Sequence, residues 1–150
     1  MLLMFGILIF VVLSPVNGFA QSRKAVAASE VNGTFRMNFT GKFKNNSNEI
    51  KILALGGGKL RVSMELLYPY MVGSERTANM GSLNGEADIM GDTAVYSSRE
   101  FGPCTITLKF VKPGTLKVTQ EGMDFDCGFG HNVRSDGTYR KVSSKKPRFE

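Results

Sequence analysis

The sequence predicts an all-β fold, a single antiparallel up-and-down meander of about eight strands, closed as a barrel rather than folded as a sandwich. Three observations carry that expectation. Apolar and polar residues alternate through most of the chain, turn signals recur at short intervals between the alternating runs, and helical periodicity is almost absent. A chain of 150 residues supports one domain. Closure is favoured because it removes the exposed edges that an open sheet leaves.

Residues 1–13, MLLMFGILIFVVL, form an apolar run broken at Ser14-Pro15. The run is shorter than the about 20 residues of a membrane-spanning helix but suits the core of a secretory signal peptide. Gly18 and Ala20 supply small residues at the −3 and −1 positions of a cleavage site. Cleavage after Ala20 is therefore expected, with a secreted or periplasmic product that keeps no membrane span. No Lys or Arg precedes the run, so an uncleaved N-terminal anchor is the competing reading. A polar lead, 21–31, follows, with a helical turn near 25–28.

Three segments alternate most clearly. In 59–68, Leu60, Val62, Met64, Leu66 and Tyr68 share one face, against Lys59, Arg61, Ser63, Glu65 and Leu67 on the other. In 104–112, Cys104, Ile106, Leu108 and Phe110 share a face, and in 125–133 so do Phe125, Cys127, Phe129, His131 and Val133. Strands with one buried face produce this period of two. Weaker alternation marks 34–39, 49–55, 83–90, 93–98 and 116–121 as further strands. Turns fall at 45–48, Gly56-Gly57-Gly58, Gly91-Asp92, Pro113-Gly114, 121–124 and 135–137. The glycine triplet lacks the Lys-Ser/Thr pair and the helix of a phosphate-binding loop, so it reads as a hairpin turn. An internal echo supports closure. Asn32-Gly33-Thr34-Phe35-Arg36 opens the first strand and Asp136-Gly137-Thr138-Tyr139-Arg140 the last, as neighbours across a barrel seam would. The barrel domain spans 32–143, with a basic tail at 144–150.

The Gly-x-aromatic first strand, the count of short strands, the signal peptide and the single Cys pair resemble small secreted eight-stranded barrels. These are the calycin-type ligand carriers and the bacterial periplasmic lysozyme inhibitors. Cys127-Gly128-Phe129-Gly130-His131-Asn132, followed by Asp136-Gly137-Thr138-Tyr139-Arg140-Lys141, is similar to small secreted bacterial proteins of uncharacterised role. The resemblance covers 32–143 and implies architecture. The chain has no Trp, and no functional residue is carried over.

One His and two Cys exclude a multi-ligand zinc cluster, an iron–sulfur cluster and a haem attachment motif, and no cofactor is expected. In an exported chain Cys104 and Cys127 are expected to pair. If 104–112, 115–121 and 125–133 were consecutive strands, the two would lie about 10 Å apart, too far for a disulfide. Either Gly102-Pro103 lets Cys104 swing across the barrel end, or the strand ends differ from this reading. His131 reads as a ligand-contacting or catalytic imidazole, or as a hydrogen-bonded core or end-of-strand His. A metal site built from Asp124, Asp126 and His131 would be sparse, and none is assigned. With one His, nucleophilic catalysis lacks a base, so the protein is not expected to be an enzyme.

Charge is unevenly spread. Segment 23–61 holds eight basic and two acidic residues, 62–100 two and six, 101–133 three and three, and 134–150 six and two, for a formal net charge of +6. Both ends are basic and the middle acidic, which favours anionic partners for the terminal strands. Export argues against nucleic acid as that partner. The stretch 68–80, YPYMVGSERTANM, reads as a connection long for a meander, and loops carry function more often than scaffolds do. Tyr68, Tyr70, Met71 and Val72 are its candidate partner-binding residues.

Two functions remain. One is an exported, monomeric, non-catalytic binding module. It would act through the 68–80 loop and the basic strands on a protein, in the manner of a hydrolase inhibitor, or on an anionic envelope polymer. The other is a carrier of small apolar ligands inside the barrel, contacted by Phe35, Met37, Met64, Phe110, Phe129 and His131. A barrel this small is usually filled by its own side chains, which favours the first.

Overall fold

The computed structural model describes residues 25–149, so the signal peptide expected at 1–20 lies outside the described residues. A four-residue helix, α1 (Ala28–Val31), precedes eight strands: β1 (Gly33–Asn38), β2 (Ser47–Gly56), β3 (Lys59–Val72), β4 (Glu75–Met90), β5 (Thr93–Ser98), β6 (Cys104–Lys112), β7 (Thr115–Glu121) and β8 (Gly137–Ser143). Each strand pairs antiparallel with the next, and β8 closes on β1. The echo lies at this seam, where Arg36 faces Arg140 and Phe35 faces Lys141.

Hydrophobic parity sets the registers. In the β6–β7 hairpin the two-residue turn Pro113-Gly114 alone would bring Phe110 opposite Lys117 and point one of them the wrong way. A bulge between Phe110 and Lys112 moves the ladder by one, so that Phe110 meets Leu116 and Leu108 meets Val118. The β2–β3 hairpin does the same between Ala54 and Gly56, which brings Ala54 opposite Leu60. Its turn residues Gly57 (φ 58°) and Gly58 (φ 73°) both adopt positive φ, the conformation of a type I′ turn.

Inside, Phe35, Ile50, Ile52, Val62, Met64, Ile106, Leu108, Leu116 and Tyr139 are all fully buried. No void large enough for a water molecule touches these side chains, since such a void would leave them accessible surface. One end of the barrel is stoppered by α1, whose Val31 is buried in the core. Lys141 holds this turn in place, its ammonium donating to the carbonyls of Ser29 (3.0 Å), Glu30 (2.6 Å) and Asn32 (2.8 Å).

The expected strand at 125–133 is absent. The chain after β7 instead makes a 3-10 turn at Phe125–Cys127 and a compact cap over the other barrel end. Asp124 accepts from the N–H of Phe125 (2.9 Å) and of Asn132, while Gly128 (φ 74°) and Asn132 (φ 62°) take left-handed conformations that end any strand. This dissolves the geometric conflict over the cysteines. Cys127 lies in the cap beside the start of β6, with Cα atoms 5.0 Å apart, and the Cys104–Cys127 disulfide forms.

Candidate functional site

The stretch 68–80 is not a loop. β3 and β4 pair through fourteen residue pairs, from Lys59↔Asp88 to Val72↔Glu75, and turn at Gly73-Ser74. Their other neighbours stop earlier. β2 meets β3 only as far as Glu65, and β5 meets β4 only over Asp88–Met90. Leu66 on β3 and Leu83 and Ala87 on β4 are still buried in the core; past them, over 68–79, the hairpin runs on as a two-stranded arm.

The β3 strand of the arm puts apolar side chains on both faces, while the β4 strand opposite it carries Asn79, Thr77, Arg76 and Glu75 beside Met80 and Ala78. Tyr68, Tyr70 and Val72 continue the face that buries Leu60 to Leu66 within the barrel, and the two tyrosine rings stack at 6.2 Å. Leu67, Pro69 and Met71 lie on the opposite face, where Leu67 stands against Met80 and Pro69 against Ala78. Val72 is 60% exposed and Met80 67%. At the root, the Leu67 N–H is taken by the Asn48 side chain (2.8 Å), the last group β2 offers. Pro69 presents the same edge two residues on and has no N–H to leave unpaired there, which blunts the edge against indiscriminate pairing.

The cap props this arm. The Gly130 N–H donates to the Met80 carbonyl (3.0 Å), and the Asn79 side chain donates to the His131 carbonyl (2.8 Å). Phe129, buried, packs so closely on β4 that a Cβ at Gly81 would lie 2.9 Å from its side chain. Between arm and cap run two open clefts. One, of about 320 Å³, is lined by Tyr68, Met123, Asp124, Asn132 and Arg134. The other, of about 180 Å³, is lined by Glu65, Met80, Gly81, Ser82 and Gly128. Phe101, Met123 and Phe125 add exposed apolar surface to this end.

The ionisable groups here serve the scaffold. Arg134 is committed to Asp136 (2.8 Å) and to the carbonyls of Gly122 (3.2 Å) and Gln120 (2.9 Å). The two N–H donors from Asn132 and Phe125 hold the Asp124 carboxyl below its ordinary range. Burial raises the Tyr139 phenol, whose O–H donates to the Ser135 carbonyl (2.9 Å). Ser135 in turn gives its N–H and hydroxyl to buried Gln120, so the interior polar groups satisfy one another.

The other sequence-predicted residues fall into two groups. Phe35, Met64 and Phe110 are buried in the barrel core, Met37 is partly buried, and Phe129 lies in the cap. His131 is neither in the core nor on a strand; its side chain is 83% exposed, 3.9 Å from Asp124. The Gly-Phe-Gly-His-Asn run could have revealed this, because its glycines and Asn132 suit turns better than strands. Sequence reasoning missed Met80, Met123 and Phe101, whose roles depend on how the cap folds back.

No family model, curated protein or solved structure matches this chain.

Proposed function

We propose that the protein is an exported, non-catalytic binding module whose β3–β4 arm docks into an apolar cleft of a partner protein. The observation that carries this reading is the arm itself, whose β3 strand holds large apolar side chains on both faces beyond the barrel core. A hairpin that only had to cap the barrel would need one apolar face. Contiguous exposed apolar surface marks interaction sites in soluble proteins, and aromatic and Met side chains are enriched where partners bind. The disulfide is consistent with an oxidising compartment and so with export. The carrier alternative is weakened by the packed interior, where Phe35, Met64 and Phe110 are buried among other core side chains, and by His131, which lies outside it.

The test is photo-crosslinking in extracts of the source cells, with the photoreactive residue placed at position 70 and, as control, at position 51 on the outer wall of β2. The expected result is one defined protein adduct from position 70 and none from 51. Excess unlabelled protein should compete the adduct away, and the Tyr70→Ser/Met71→Ser variant should compete about tenfold less well, the loss of two anchoring contacts. Both substitutions lie beyond the buried core, so the variant stays folded, with only the small loss of stability that the Tyr68–Tyr70 stack accounts for. Equal adducts from both positions, or equal competition by the variant, overturn the reading. So does a native mass carrying a bound small molecule.

A further inference from the structure

Charge is arranged differently on the opposite wall of the barrel. Where β3 meets β4, complementary charges stand face to face, Lys59 opposite Asp88 and Arg61 opposite Glu86. Where β6 meets β7, Lys109 stands directly opposite Lys117. Like charges so placed destabilise a ladder. Neither lysine has an ion-pair partner among the described residues. Beside Lys117 stands Thr138, and one step along β8 is Arg140, which faces Arg36 and donates to Thr115 (2.6 Å). Arg36 is relieved by Glu49 at 2.7 Å; the lysine pair has no such relief among the described residues. Thr107 opposite Thr119 extends the face with hydroxyls.

We propose that the outer face of β6, β7 and β8 binds an acidic polysaccharide, with its sulfate or carboxylate groups on Lys109, Lys117 and Arg140 and its hydroxyls on Thr107, Thr119 and Thr138. Neighbouring strands lie about 4.8 Å apart, and residues two apart along a strand about 6.7 Å, so cations and hydroxyls form an open grid. A flat grid fits an extended polymer of repeating charge better than a single small anion, which needs a concave site. No aromatic side chain lies among the outward positions of these strands, so the face lacks the stacking platform of single-stranded nucleic acid recognition. Its cations are accompanied chiefly by threonines, not by the Trp, Phe and Leu of a membrane-lying surface. The inference goes beyond the arm and does not depend on it.

The test measures binding to heparin, a sulfated polysaccharide, between about 50 and 200 mM salt. The full-length mature protein should bind at low salt and weaken steeply as salt rises. Lys109→Gln/Lys117→Gln should bind about tenfold less tightly, and Lys109→Arg/Lys117→Arg should retain affinity. The Gln variant should also melt about 1–4 °C higher, because the like-charge pair is gone. Binding lost while stability rises separates a ligand site from a damaged fold. Lys145→Gln/Lys146→Gln removes equal charge from the tail and should change affinity little. An equal loss in the tail variant, unchanged affinity in the Lys109/Lys117 variant, or preference for single-stranded DNA or for phosphatidylglycerol vesicles over heparin overturns the proposal.

Discussion

The β3–β4 and β6–β7 hairpins share one barrel and are built to opposite rules. In β3–β4 the facing charges are matched, and the two strands outrun their neighbours to carry apolar side chains into solvent. In β6–β7 the strands stay within the wall, their inner faces are fully packed, and the facing lysines repel. Matched charges and buried apolar residues are what stability alone would select. Each hairpin breaks one half of that rule, the first by exposing apolar surface and the second by opposing like charges. Local departures from the stabilising choice, set in an otherwise consistent fold, are where function is to be sought.

The disulfide links the two hairpins, since Cys104 begins β6 while Cys127 anchors the cap that props β4. Replacing both cysteines by serine should cost about 3 kcal/mol of stability, the chain-entropy value for a loop closed across a sequence separation of 23. The loss should not be shared equally. Proteolysis and amide exchange should rise first in the cap and in the arm at 68–79, while the β6–β7 ladder keeps its protection. Simultaneous loss of protection in both hairpins would erase the comparison and make them one cooperative unit.

Gly81→Ala probes the prop without touching the covalent link. The added Cβ would meet Phe129 at its own Cβ and ring, atoms that cannot swing aside without moving the cap. A destabilisation of about 1–3 kcal/mol is expected, the usual cost of overpacking a closed site. It should come with lost exchange protection at the Gly130 N–H, which Met80 accepts. If the variant keeps wild-type stability and that protection, the arm is self-supporting and the cap merely lies beside it.

Much of this arrangement was legible in the sequence, and the gaps have physical causes. Period-two alternation identified the barrel strands, because each has one buried face and one wet one. The same alternation misled at 125–133. Cys127, Phe129 and Val133 are buried there as a strand's residues would be, but they plug a barrel end from a 3-10 turn and its sequel. At 68–80 the error ran the other way. A ribbon that leaves the barrel has no buried face to impose alternation, and Pro69 reads as a strand breaker unless it sits on a free edge. The Lys109–Lys117 encounter was hidden one level deeper. Counting back from Pro113-Gly114 misses it by one residue, and only the requirement that Phe110 and Leu116 both point inward reveals the bulge that brings the lysines together.

Acid provides the mildest way to separate the two hairpins. The Asp124 carboxylate accepts from the Phe125 and Asn132 N–H groups and gives the cap its shape, and those bonds hold its pKa below the ordinary value of 3.8. A depressed folded pKa means that the unfolded or loosened cap binds the proton more readily. The stabilising contribution is therefore complete above the ordinary value and is lost as pH falls through the lower, folded one. Amide spectra followed from about pH 5 to about pH 1 should show the Phe125 and Asn132 signals shifting, and the arm amides at Asn79 and Met80 following, before the β6–β7 ladder responds. Asp124→Asn should abolish that early step, because the amide cannot titrate. A titration in which β6–β7 moves first, or in which the Asn variant behaves as wild type, would place the acid-sensitive contact elsewhere and detach the arm's support from the Asp124 cap.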